Sequence, residues 1–341
     1  MTNISLWNNL DTQKRKYHNG GQKKNDRESE AYVMDIRFEK REHLKEKPDQ
    51  KHLGFGKYMT DYMFVMDWTK EEGWKDARIV PEGPITMDPA CVTLHYAQET
   101  FEGMKAYRTA EGKIQLFRPE MNAKRMINSN ARLCMPELPV DMFVEAVKAL
   151  VKVEEDWVPS EPETSLYIRP FMFATEAALG VHMASAYKFM IICCPVGAYY
   201  AEGINPVKIL VEDELVRAVK GGTGFTKCGG NYAGSILGQV KAEKMGYSQV
   251  LWLDGEHRKY VEEVGTMNIM FKIAGEIYTA PIEGTVLPGV TRDSMIHLLR
   301  DWGYKVNETR LSVDDLMKAG HDGTLEEVFG TGTAAVISPV G

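Results

Sequence analysis

The period of the apolar positions changes along the chain, and the changes mark its elements. Val140, Phe143, Val147, Leu150 and Val151 recur at helical spacing and predict an amphipathic helix over Val140–Trp157. A helix before it is predicted to open at Pro119, whose fixed φ suits the first helical position, and to run through Met126 to about Leu133. Ser165–Phe173 and Tyr187–Cys194 are nearly continuous apolar runs and read as strands, the second buried from Phe189 onward. Ala106–Arg108 and Lys113–Phe117 flank Glu111-Gly112 and read as a hairpin. Leu53–Asp67 reads as loop and strand, and Trp68–Ile79 is a charged stretch before the turn cluster Pro81, Gly83, Pro84.

Past residue 207 the pattern becomes one of short strands: Val207–Val211, Gln249–Leu253, His257–Val261, Asn268–Ile273 and Glu276–Ala280, with turns at Asp254-Gly255 and Ala274-Gly275. Two helices interrupt them. One places Ile236, Leu237 and Val240 on one face and stops at Gly246; the other takes Thr291 as N-cap and runs through Met295, Leu298 and Leu299. Residues 1–30 are polar, Ala31–Gln50 is charged and expected to be partly helical, and Pro195–Asn205 (PVGAYYAEGIN) loses all periodicity. The expected organisation is a polar extension (1–50), a small α/β domain (51–195), a linker (196–206) and a larger β-rich domain (207–341).

Composition narrows the function. A chain of 341 residues is long enough for two domains, and 44% hydrophobic with 26% charged residues is ordinary for a soluble globular enzyme. A net charge of −7 argues against a nucleic-acid binder that works by neutralising phosphates. Cys91, Cys134, Cys193, Cys194 and Cys228 form no zinc-type spacing; no metal site is expected, and reduced thiols in a cytoplasmic location are. Neither a signal peptide nor a run of eighteen apolar residues is present, so no membrane partner is expected.

The chemistry gathers around Gly221–Gln239 (GGTGFTKCGGNYAGSILGQ), where seven glycines surround Lys227 just ahead of a helix. By itself such a lysine is more often solvated than reactive. Held on a tight loop and shielded from water, it becomes a nucleophilic amine. The loop is not a phosphate-binding Walker loop, since Thr226 precedes the lysine and Cys228 follows it. Two further stretches offer backbone N–H groups to an anion: the helix start in LPGVTR, and the Gly/Thr turn of FGTGTAAVISPV. Arg125 lies on the Pro119 helix, Arg169 interrupts an apolar strand and needs a partner, and Glu262-Glu263 precede Val264-Gly265-Thr266. A lysine, anion cups and a carboxylate for a ring nitrogen are the parts of a pyridoxal phosphate site.

TKCGGNYAGS, EVGTMNIMF, LPGVTR, LHYAQETFEGMKAYR, LYIRP and FGTGTAAVISPV resemble the motifs of branched-chain amino acid aminotransferases, and they fall in family order between Leu53 and Gly341. These enzymes belong to fold type IV of the pyridoxal-phosphate enzymes. The resemblance implies a two-domain α/β (α+β) fold whose larger C-terminal domain is a β-rich pseudo-barrel. It implies transfer of the amino group of leucine, isoleucine or valine to 2-oxoglutarate by a ping-pong route through pyridoxal 5′-phosphate. Lys227 would bind the cofactor covalently and shuttle the α-proton, Glu263 would face the pyridine nitrogen, and Tyr232 the ring's 3′-oxygen. Arg125, Val290, Thr291 and Thr333 would hold the phosphate. The turn at Thr333 and Ala334, with Thr266, would receive the substrate around its α-carboxylate. Phe55, Phe101 and Tyr167 would form the apolar wall, and Arg169 and Tyr96 would meet the distal carboxylate of glutamate. Tyr96 and the loop with Leu179 and Val181 would enter from a neighbouring subunit, so a homodimer is expected.

Two departures from the family pattern stand out. Ala335 and Ser338 occupy the positions of a CxxC redox switch in mammalian members, so that regulation is not expected. Family members usually continue past the position of Gly341, so the C-terminus is expected to be truncated or unusually short. Two other readings stay open at this point: a fold type IV transaminase or lyase with another donor, and a non-catalytic protein that binds the same cofactor.

Overall fold

The computed structural model describes residues 34–197, 206–334 and 336–341. The tail before residue 34, the linker from 198 to 205 and the Ala335 half of the switch comparison lie outside the described residues. The strands sort into two eight-stranded sheets, one built from residues 37–196 and the other from residues 209–340.

The first sheet holds β1 (Arg37–Phe38), β2 (Tyr62–Thr69), β3 (Gly73–Pro81), β4 (Glu99–Phe101), β5 (Met104–Arg108), β6 (Ile114–Leu116), β7 (Ser165–Ala174) and β8 (Ala186–Val196). Their order is β1-β3-β2-β8-β7-β5-β6, with β4 pairing β7. Side chains alternate across the pleat, so both faces find apolar partners. Phe64, Met66, Phe189 and Ile191 meet the helices α2 (Pro119–Arg132) and α3 (Val140–Val153), whose Met126, Phe143, Val147 and Leu150 fill the same core. Met63, Val65, Phe173 and Met190 form a second cluster. Before α2 lies the short helix α1 (Val92–Tyr96).

The second sheet holds β9 (Ile209–Glu212), β10 (Gln249–Leu253), β11 (Val261–Val264), β12 (Met267–Ile273), β13 (Glu276–Thr279), β14 (Val306–Glu308), β15 (Leu325–Gly332) and β16 (Val336–Val340). Its order is β14-β13-β12-β11-β10-β9, with β15 joining β12 to β16. Three helices belong to it: α4 (Gly229–Lys244), α5 (Val290–Asp301) and α6 (Val313–His321). Strands β9 and β10 are parallel, and parallel neighbours need a crossover. The Gly-rich stretch and α4 make that crossover, which carries Lys227 from one strand end toward the next.

Several expectations change. Ala31–Gln50 holds no α-helix where it is described: β1 pairs with β3, Met34 is buried in the first core, and only Gln50 begins a 3-10 turn, Gln50–His52. The charged stretch after Trp68 is the second strand of a hairpin, with Ala77 and Ile79 alternating inward. Helix α3 ends at Val153 and a short 3-10 turn, Glu155–Trp157, follows. Strand β8 runs through Val196, which pairs with Ser165. On α4, Ile236 and Leu237 are exposed, while Asn231, Gly238 and Ala242 face inward. Small residues let this helix lie close to the sheet, since a Cβ at Gly238 would meet the Trp252 ring at 2.5 Å. The strand expected at His257–Val261 starts only at Val261, because the Asp254 carboxylate gathers the N–H groups of Glu256, His257, Lys259 and Tyr260 into a loop. Gly289, not Thr291, is the N-cap of α5; Thr291 sits in its first turn.

Candidate active site

Lys227 is pinned at both ends of its backbone. Its N–H donates to Ser129 Oγ on α2 (3.0 Å), and its carbonyl accepts from the Phe101 N–H (3.0 Å). The side chain enters a cavity of about 350 Å³. There Nζ lies 2.6 Å from Tyr232 Oη and 4.5 Å from the centre of the Phe101 ring. Burial, with Arg125 next, lowers the amine to a pKa of about 8; burial likewise pushes Tyr232 up to about 12. A lysine so placed is neutral, and therefore nucleophilic, far more readily than one in water.

The same cavity is lined by Glu263, which lies inside β11 rather than beyond a strand end. Alternation turns Glu263 into the cavity and Glu262 away, where it takes a hydrogen bond from Thr285. Glu263 Oε1 accepts from Asn268 Nδ2 and from the Leu287 N–H, both at 3.0 Å, and Oε2 pairs with Arg217 Nε. Burial raises this carboxyl to about 7, with Arg217 pulling against it. Gly289 makes the arrangement possible: a Cβ there would overlap the side-chain oxygen of Asn268, whose amide bridges Glu263 and the Leu287 carbonyl.

The anion cup is built from three segments. Arg125, on α2, forks onto Glu102 through Nε (2.8 Å) and Nη2 (2.7 Å) and donates through Nη1 to the Pro288 carbonyl (3.2 Å). A guanidinium has five N–H groups, so part of its donor set stays open to the cavity. Val290 and Thr291 open α5, whose cap residue contributes no side-chain bond, and Thr333 closes the cup from the turn after β15. The Lys105 ammonium, buried and lowered to about 8, holds that turn through the Ala334 carbonyl (2.7 Å).

The other end of the cavity is aromatic. Phe55 and Tyr167 pack edge to face at 4.9 Å, and Phe101 stands 4.9 Å from Tyr232. Arg169, set within β7, lies 4.7 Å over the Phe101 ring and gives one hydrogen bond to Tyr167 Oη (2.9 Å). Its Nε is buried without a hydrogen-bond partner. A half-buried guanidinium whose Nε–H is buried without an acceptor is an invitation to an anion. Thr266 and Ala334 complete the lining.

Three of the residues singled out in the sequence are absent from this lining. Tyr96, Leu179 and Val181 are exposed, and Tyr96 Oη instead accepts from the Gly180 N–H (3.0 Å), which joins the end of α1 to the loop that carries Leu179 and Val181. Glu102, Lys105, Arg217 and Asn268 were missed, although Lys105 and Arg217 carry the signal that exposed Arg169: a lone charge among apolar neighbours.

The residues fit a phosphorylated pyridine aldehyde: an amine with a lowered pKa, a buried carboxylate in the same cavity and an open cup of donors. Comparison with known proteins agrees. The family model for amino-transferase class IV matches residues 99–341. A branched-chain-amino-acid aminotransferase 2 of Bacillus subtilis (strain 168) is 54% identical over 306 residues, covering 90% of this chain and 84% of its own. The crystal structure of the Escherichia coli branched-chain amino acid aminotransferase superposes with a TM-score of 0.69 at 28% identity, covering 82% of this chain and 85% of that one. The branched-chain amino acid aminotransferase of Thermobaculum terrenum, solved in its PLP-bound holo form, gives 0.66 at 25% identity, over 82% and 84% of the two chains. By its family model and its relatives, the chain belongs to the branched-chain-amino-acid aminotransferases of amino-transferase class IV.

Proposed function

We propose that the enzyme transfers the amino group of leucine, isoleucine or valine to 2-oxoglutarate, with pyridoxal 5′-phosphate held by Lys227, Tyr232, Glu263, Arg125, Val290, Thr291 and Thr333. The observation that carries this reading is the pairing, in one cavity, of a buried lysine amine with an aromatic wall that ends in an arginine short of partners. Bound there, the cofactor supplies an aldehyde for amino groups and a protonated ring that takes up electrons when the substrate's Cα–H bond breaks.

The chain's own groups do the rest. Lys227 Nζ would hold the cofactor, and as a free amine it would take the proton from the substrate Cα. Tyr232 keeps Nζ aimed by its 2.6 Å hydrogen bond. Glu263, held by Asn268, the Leu287 N–H and Arg217, would face the ring nitrogen and favour its protonated form. The turn at Thr333 and Ala334, with Thr266, orients the α-carboxylate. Phe55, Phe101 and Tyr167 enclose an apolar side chain; Arg169 receives the distal carboxylate of 2-oxoglutarate, and of the glutamate formed from it, in the second half-reaction.

The active unit in this reading is a homodimer in which Tyr96, Leu179 and Val181 of one subunit close the cavity of the other; their exposure as apolar groups supports it. The cytoplasm is the proposed location, supported by five unpaired cysteines. Among the described residues no helix is long and apolar enough to cross a membrane. The two-domain division is kept, with its boundary in the stretch that separates the two sheets.

Absorbance scans of the purified holoenzyme test the assignment. Leucine, isoleucine, valine and glutamate should each convert the aldehyde band to the amine band, and 2-oxoglutarate should reverse the change. Conversion by glutamate with none by the apolar donors would move the enzyme to another donor class, and failure with all four would leave a binding protein.

A further inference from the structure

Strand β4 places a carboxylate one side chain away from the substrate-side arginine, beyond Phe101. Phe101 stands opposite Phe171 on β7, and Glu99 stands opposite Phe173. Alternate residues of a strand share a face, so Glu99, Phe101 and Arg169 lie on the same side of the sheet. Phe101 lies under the Arg169 guanidinium, and Glu99 is the next residue along that face. Its Oε1 accepts the N–H of Gly229, the first residue of α4, whose cap residue Cys228 contributes no side-chain bond. The carboxylate is therefore held in place, at a helix start that favours negative charge. It also feels Arg169: burial raises the Glu99 carboxyl, and the Gly229 N–H and then Arg169 lower it.

We propose that Glu99 is a specificity-determining residue that tempers Arg169, weakening its hold on a distal carboxylate so that the same pocket accepts an apolar side chain. The proposal rests on the reading of Arg169 as the distal-carboxylate group. A bare cation in the pocket wall binds a dicarboxylate tightly and disfavours an isobutyl group, whereas a two-substrate enzyme needs neither extreme. A fixed negative charge one side chain away shifts that balance without occupying the arginine's free N–H.

Dead-end analogues separate this role from helix capping. Glutarate carries two carboxylates, and 4-methylpentanoate carries one carboxylate with an isobutyl end. Their dissociation constants are measured by spectral titration of the holoenzyme. Glu99→Gln keeps an acceptor for the Gly229 N–H and removes the charge. Glutarate should then bind about three- to tenfold more tightly relative to 4-methylpentanoate. Glu99→Asp, which retains the charge and loosens the cap, should hold the ratio near that of the parent enzyme and lower the melting temperature instead. An unchanged ratio in Glu99→Gln, or a shift toward 4-methylpentanoate, overturns the proposal. Arg169→Met marks the other failure: if it leaves glutarate binding intact, the reading of Arg169 falls, and if it weakens glutarate while Glu99→Gln changes nothing, Glu99 alone is refuted.

Discussion

The two ends of the cavity handle charge in opposite ways. At the cofactor end each charged group already has a partner: Arg125 is forked onto Glu102, Glu263 is matched by Arg217, and Lys227 rests on Tyr232. At the substrate end Arg169 has a neutral phenol, two aromatic faces and a buried N–H without an acceptor. A resident group is best met by a site organised in advance, whose electrostatics cost no rearrangement. A site that alternates between an acid and a hydrocarbon gains from incompleteness, because full satisfaction of the arginine would exclude the acid and a stronger bare charge would exclude the hydrocarbon.

Substitutions at each end sharpen that contrast. Lys227→Ala, at the organised end, should lower turnover with leucine at least about a thousandfold, since it removes both the covalent hold and the proton carrier. Single-turnover absorbance measures it, and near-normal rates would sink the assignment. Glu263→Gln should lower the rate about a hundred- to a thousandfold while the protein keeps its cofactor; a small change would mean that ring charge is not controlled from β11. At the open end, Arg169→Ala should cut kcat/KM for 2-oxoglutarate about ten- to a hundredfold and that for leucine much less. Equal losses would give Arg169 a structural role and dissolve the contrast.

The smallest effect is in pH. An amine with its pKa lowered to about 8 is protonated below that value and neutral above it. Cofactor capture by the apoenzyme, followed by the growth of the bound absorbance band, should therefore rise about tenfold per pH unit up to pH 8 and level off beyond it. A rise that continues toward about pH 10, the range of an ordinary lysine, would show that the protein does not desolvate this one.

Local signals carried much of this into the sequence. Pro119 and the apolar repeat of Val140–Val153 reveal α2 and α3 because a helix buries one stripe of its own residues. Strand β3 hides because only Ala77 and Ile79 of it are fully buried, among Lys75, Asp76 and Arg78. The apolar pair on α4 misleads for the reverse reason, since there the inward face is made of small residues. Of the thirteen residues brought to the cavity, eleven come from the motifs, each a short string, and Phe55 and Arg125 come from outside them. What stayed hidden were partnerships across the chain: Arg125 with Glu102, Glu263 with Arg217, Lys105 with the Ala334 carbonyl. No spacing rule connects residues 229 positions apart, as Lys105 and Ala334 are.

The backbone clamp on Lys227 has a consequence for how the protein comes into being. The lysine emerges from the crossover of the second sheet, yet both of its peptide groups are tied to the first half of the chain, at Ser129 and Phe101. A chain with only one sheet assembled has no competent amine, however complete that sheet is. Reactivity thus depends on both halves of the chain being in place, and a half-made molecule offers no primed lysine to stray aldehydes.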